Sequence, residues 1–108
     1  MSSSLPKFRM DIVPASTPAA ISSTPIRIMR IEFVGGSGNG TFELKNAATD
    51  TGTVLIYGAA LIGTTMPPFD YEEIGGVPFS TACYAKPAGA GSVLRIWWEP
   101  MQSQVAFA

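Results

Sequence analysis

From Pro25 onward the chain alternates apolar and polar residues with the two-residue period of a β-strand. In Ile26–Val34 the alternation has two phases: Ile26 and Ile28 share one parity, while Met29, Ile31 and Phe33 share the other. A β-bulge near Met29, or a strand end buried on both faces, accounts for the slip. Residues 41–45 alternate cleanly, with Phe42 and Leu44 inward. The glycine-rich residues 35–40 between these strands predict a hairpin loop. A second polar turn follows at residues 46–52, then a third strand at 53–57. Residues 58–63 either continue that strand or cross to a second sheet. Pro67 and Pro68 stop any ladder.

The last pair has the clearest pattern. Residues 77–85 and 92–99 predict a hairpin around the loop at 86–91, with Val77, Phe79, Thr81 and Cys83 on one face. In the second strand Leu94, Ile96 and Trp98 share the inward face, and Val93, Arg95 and Trp97 the other. No segment carries a 3.6-residue apolar stripe three turns long. Short strands separated by turns every 8–12 residues predict an all-β sandwich or barrel.

Residues 1–25 read differently. Pro6, Pro14, Pro18 and Pro25 stand among eight serines and threonines, a spacing that blocks helix and removes ladder donors. Leu5, Phe8, Met10, Ile12, Val13 and Ile21 are too many apolar points for a plain linker. Residues 8–12 alternate apolar with charged, a pattern able to add to a neighbour's sheet edge. The expected organisation is an extended N-terminal arm over 1–25 that orders on a partner, a β domain over 26–100, and a C-terminal tail over 101–108.

Charge sharpens this picture. Charged residues make up 14% of the chain, against about 25% in an average soluble domain. A domain so small is marginal alone and normally adds disulfides, a metal or partner subunits. One cysteine, Cys83, rules out an internal disulfide, and the absence of histidine argues against structural zinc. Oligomerisation is the stabiliser left. A net charge of −1 with dispersed basic residues gives no footprint for nucleic acid. No apolar run reaches the roughly 20 residues of a membrane-spanning helix. The first residues lack a secretory pattern, so synthesis in a cytoplasm is expected, with Cys83 a reduced, buried small hydrophobe.

Candidate chemistry is sparse. Residues 34–40 suggest a phosphate loop, but no lysine follows in register and the next segment is a strand, so a turn is expected. Asn39-Gly40-Thr41 matches a glycosylation acceptor, a pattern common in glycine-rich turns. Asp70, Glu72 and Glu73 miss the calcium-loop spacing, and adjacent carboxylates on a strand diverge. A solvated or intersubunit acidic face, pairing with Arg9, Arg27 or Arg30 of a neighbouring copy, is the expected role. Without histidine there is no Ser-His or Cys-His pair, and no cofactor or metal is expected. Trp98 is expected in the core. Trp97, beside Arg95, is expected either under a second layer or at an interface, where Trp and Arg are enriched. Stacking on a sugar ring, with Tyr71 or Tyr84 as further platforms, is the alternative.

Residues 75–82, the following glycine-rich loop and residues 93–99 resemble the C-terminal half of small tailed-phage virion proteins. That resemblance implies a small antiparallel β-sandwich or jelly-roll-like domain with an arm that clasps neighbours on a capsid or tail. It implies a non-enzymatic virion structural protein, a capsid decoration or cement subunit, homo-oligomeric and bound to a capsid or other virion protein. The interface residues expected on this reading are Leu5, Phe8, Arg9, Met10, Ile12, Tyr71 and Trp97. A carbohydrate- or receptor-binding β module of a tail or fibre is the alternative.

Overall fold

The computed structural model describes residues 8–101. Nine strands follow in order: β1 Arg9–Pro14, β2 Ala19–Ser22, β3 Ile26–Val34, β4 Gly40–Lys45, β5 Val54–Ala60, β6 Phe69–Asp70, β7 Val77–Phe79, β8 Cys83–Ala88 and β9 Val93–Pro100. They form two antiparallel sheets. Sheet A has the order β1-β9-β3-β6, with β7 also pairing β3, and sheet B the order β2-β8-β4-β5. The pairings nest: β1 with β9, β2 with β8, β3 with β6 and β7, and β4 with β5. This is a jelly-roll arrangement of a small β-sandwich.

The inward parity of each strand fills the space between the sheets. Ile26, Ile28, Ile31 and Phe33 of β3 meet Phe42 and Leu44 of β4, with Leu94, Ile96 and Trp98 of β9, Phe79 of β7 and Cys83 and Ala85 of β8 completing one cluster. The rings of Phe33 and Phe42 join the sheets with centroids 5.0 Å apart. Each fully buried large side chain contributes about 1.5–3 kcal/mol. The phase slip in β3 is a bulge: its register against β9 shifts between Ile28 and Arg30, and Ile28 and Met29 are both buried.

Three expectations are corrected. The segment expected as an arm belongs to the sandwich over much of its length: β1 adds to β9 and β2 to β8, and Val13 is buried in the core. The alternation of residues 8–12 is indeed a strand, but its acceptor edge is in the same chain. Removal of residues 2–24 would therefore take an edge from each sheet and open the core. Secondly, neither expected hairpin exists, because β3 and β9 lie in sheet A while β4 and β8 lie in sheet B. The glycine-rich segments are corners between sheets; the hairpin is β4–β5, closed at residues 46–53. Thirdly, residues 77–85 are two strands, broken at Ser80 and Thr81. Asn46 braces that break, its Oδ1 accepting from the Thr81 amide at 2.9 Å and its Nδ2 donating to Ser80 Oγ at 3.2 Å.

The glycines of residues 35–40 serve close packing rather than phosphate. A Cβ on Gly36 would lie 2.3 Å from the Ala90 carbonyl oxygen. One on Gly89, whose φ is +109°, would lie 2.4 Å from the Asn39 carbonyl oxygen. The two corners touch backbone to backbone, and the Ser37 amide donates to the Ala90 carbonyl at 2.9 Å.

Candidate interaction surface

Strand pairing decides which of the singled-out residues meet. On the outer face of sheet A the register sets Met10 beside Trp97, Trp97 beside Arg30, and Arg30 beside Asp70. The adjacent row runs Ile12, Arg95, Glu32. Met10 and Ile12 are exposed, at 44% and 55%, and Trp97 is half-buried between its neighbours.

Charge surrounds this apolar strip. The Arg30 guanidinium sits over the Trp97 ring, 5.5 Å from its centroid. The same guanidinium reaches Glu32 at 3.4 Å and Asp70 at 3.8 Å, and Arg95 reaches Glu32 at 3.4 Å. Glu32 thus stands between two arginines, each held on the sheet by a neighbouring carboxylate. Exposed pairs of this sort contribute little to stability. Their effect is to hold Arg30 flat on the indole and fix the rim of the strip.

The other singled-out residues lie elsewhere. Arg9 is on the opposite parity of β1, with its guanidinium 5.2 Å from the Trp98 ring centroid. Phe8 is half-buried just before β1. Tyr71 follows β6, tilted against Phe69 at 6.1 Å between centroids and packed on the core; burial pushes its phenol up. Leu5 lies outside the described residues. Met10, Ile12 and Trp97 therefore form one surface, while Arg9 and Tyr71 brace the sandwich beneath and beside it.

The acidic segment also departs from expectation. Glu72 and Glu73 occupy a 3₁₀ turn, Glu72–Ile74, rather than a strand, and Asp70 Oδ1 accepts from the Glu72 amide at 3.0 Å. Asp70 pairs with Arg30 of its own chain. Among the described residues no three acidic or thiol groups converge as metal ligands. Cys83 is fully buried, and burial pushes its thiol up to about 12, with Asp11 adding to the effect. A thiol so protonated is a poor nucleophile.

A second surface was missed in the sequence reading. Strand β5 is the outer edge of sheet B, and Val54, Leu55 and Tyr57 are exposed at 37%, 41% and 75%. Leu61 and Ile62 continue the apolar surface past its end. A depression of about 320 Å³ lies against it, lined by Asn39, Gly40, Thr41, Ala59, Ala60 and Leu61. The signal was present in the chain: no charged residue stands between Asp50 and Asp70. Comparison with protein-family models, curated proteins and solved structures finds no match to this chain.

Proposed function

We propose that this chain is a non-enzymatic structural subunit of a virion, made in the host cytoplasm, that decorates or cements a protein shell. The observation that carries the reading is the Met10–Ile12–Trp97 strip with its fixed rim of Arg30, Arg95, Glu32 and Asp70. An apolar centre with a Trp, ringed by paired charges, has the anatomy of a protein interface. The jelly roll serves as a rigid plate that holds the strip flat. Jelly rolls build both capsid and lectin domains, so the fold alone does not choose between shell and sugar. The indole supports the shell reading, because Arg30 already covers a ring face that a stacked sugar would need. The glycan reading therefore has less support.

On this reading the body of the sandwich, rather than a long arm, makes the attachment, and repeated copies on a lattice add avidity. Quantitative mass spectrometry of purified particles from the source of the chain should find it in a fixed ratio to the shell protein. Shells stripped of it should rebind wild type saturably, and Trp97→Ala should weaken rebinding by roughly 30-fold, the equivalent of about 2 kcal/mol for a central interface Trp. Absence from particles, or equal rebinding by the variant, would overturn the proposal.

A further inference from the structure

Among the described residues the two sheets have four lateral edges, and three are guarded against pairing with another chain. Strand β1 carries Arg9, Asp11 and Pro14. Strand β2 has four residues and an irregular register. The β6/β7 edge is broken into pieces of two and three residues, one holding Pro78. Strand β5 has seven residues and neither a charge nor a proline. Charges, prolines and short or interrupted strands are the usual means of blunting an edge. A single bulge, where β5 inserts Leu55 between the residues facing Leu44 and Lys45, disturbs only its start, and Ile56–Ala60 runs regularly against β4.

The order of side chains in β5 says what fits it. Val54, Leu55 and Ile56 precede Tyr57, and Gly58, Ala59 and Ala60 follow. Antiparallel pairing of this strand with itself about Tyr57 sets large residues opposite small ones, Leu55 against Ala59 and Ile56 against Gly58, while the bulge turns Val54 to the outer face, off the inward parity of Ala60. On the outer face Leu55 of one copy then lies beside Ala59 of the other, over the depression that Ala59 and Thr41 line. The two Tyr57 rings meet at the two-fold axis. No like charges are brought together and no ion loses its water, because the edge has none. A strand of even size along its length would give no such preference for register.

We propose that β5 is a self-association edge, pairing antiparallel with β5 of a second copy about Tyr57 to make one continuous eight-stranded sheet from two copies of sheet B. The inference rests on the reading of the chain as an assembly subunit and names its lateral partner. Closed two-fold contacts of this kind are the commonest form of self-association, and edge pairing supplies main-chain hydrogen bonds with side-chain selectivity.

Sedimentation velocity across a concentration series tests it on the full chain. Wild type should show a monomer–dimer equilibrium, and Tyr57→Lys should weaken it at least 10-fold. Ile74→Lys, which replaces an equally exposed apolar residue away from this edge, should leave it unchanged. Oxidation should link Tyr57→Cys into a covalent dimer, since residues opposed across an antiparallel pair have Cα atoms about 4.5–5.5 Å apart. Ala59→Cys should form no disulfide-linked dimer, its two copies being four residues out of register; native Cys83 is buried and silent. A wild type that remains monomeric at millimolar concentration, equal loss in Ile74→Lys, or equal cross-linking at both positions would overturn the inference. Trp97→Ala should dimerise normally, so a failure of shell binding leaves this test readable.

Discussion

Strands β1 and β5 are both sheet edges with exposed apolar side chains, yet β1 carries two charges and a proline in six residues and β5 none in seven. The charges of β1 lie on the parity opposite Met10 and Ile12. Arg9 covers the Trp98 ring, and Asp11 lies close enough to act on Cys83. They guard the backbone edge while leaving the outer face apolar. Strand β5 leaves both its backbone edge and its outer side chains without charge. The contrast locates the chain's shortage of ionic groups: it is concentrated between Asp50 and Asp70, while sheet A and the β4–β8 surface carry paired charges. A low charge fraction thus marks one border of the molecule, and the two proposed contacts differ accordingly. Sheet A offers a face, and sheet B offers an edge.

The largest effect expected from testing this contrast is at neighbouring tryptophans. Trp98→Ala removes a buried ring shared with the β1 edge and should cost about 3–5 kcal/mol in urea unfolding. Trp97→Ala, one residue away on the outer face, should cost about 1 kcal/mol, since such substitutions away from the core are mild. Equal losses would mean that the strip on sheet A is part of the folding core.

Next in size is the equivalent pair on β5. Ile56→Asp places a charge on the buried parity and should cost roughly 3 kcal/mol, moderated because an edge site admits water. Tyr57→Lys, on the exposed parity, should leave the urea midpoint of the monomer nearly unchanged. A large loss at Tyr57 would show that this edge braces the sandwich instead of awaiting a partner.

Cys83 gives a smaller effect, with a defined sign. Its thiol is held protonated in the folded chain, up to about 12 against an ordinary 9.0, chiefly by burial. The stabilisation is complete below about pH 9, where the unfolded thiol is also protonated, and is lost as pH rises toward the folded value. The loss should be on the order of 1 kcal/mol per pH unit between those limits. Urea midpoints measured on either side of pH 9 should diverge in wild type and less so in Cys83→Ala. The raised Tyr71 phenol adds a residual decline in the same direction.

The smallest effect is at the exposed cluster that ties the β4–β5 turn to β8. Asp50 accepts hydrogen bonds from Lys45 and from Lys86, the latter at 2.9 Å, and these lower its carboxyl below the ordinary 3.8. Its contribution is present above about 3.8 and disappears as pH falls through the folded value. Asp50→Asn should leave the melting temperature at neutral pH unchanged within error at moderate salt, because such exposed pairs are screened. A clear drop would make this cluster an electrostatic brace of sheet B, unlike the exposed pairs of sheet A.

The parity of β3, β4 and β9 was legible in the chain, phase slip near Met29 included, because burying one sheet face imposes a two-residue period directly on side-chain type; that the slip is a bulge came from the pairing with β9. The inward placement of Phe42, Leu44, Leu94, Ile96 and Trp98 followed from it. Partner choice was not legible. Residues 35–40 and 86–91 look like hairpin loops because hairpin and corner draw on the same glycines, and only packing between Gly36 and Ala90, and between Gly89 and Asn39, reveals the corners. The prolines of residues 14–25 suggested an arm because proline is read as a ladder breaker; at sheet edges and between short strands it breaks nothing. Of the surface residues, Met10 and Ile12 could not be joined to Trp97 before β1 was known to lie against β9.

The sequence by itself determined that this chain is all-β, which side chains of β3, β4 and β9 point inward, and that ionic groups are too few to coat it evenly. Those are properties of neighbours along the backbone, written in a period of two and in composition. Only the tertiary structure decided that the first strand closes on the last, that Trp97 shares a face with Met10 and Ile12, and that β5 is the unguarded edge. Such facts belong to pairs of residues far apart in the chain, and they come into being when the nested strands fold onto one another and the shared core selects a single set of partners.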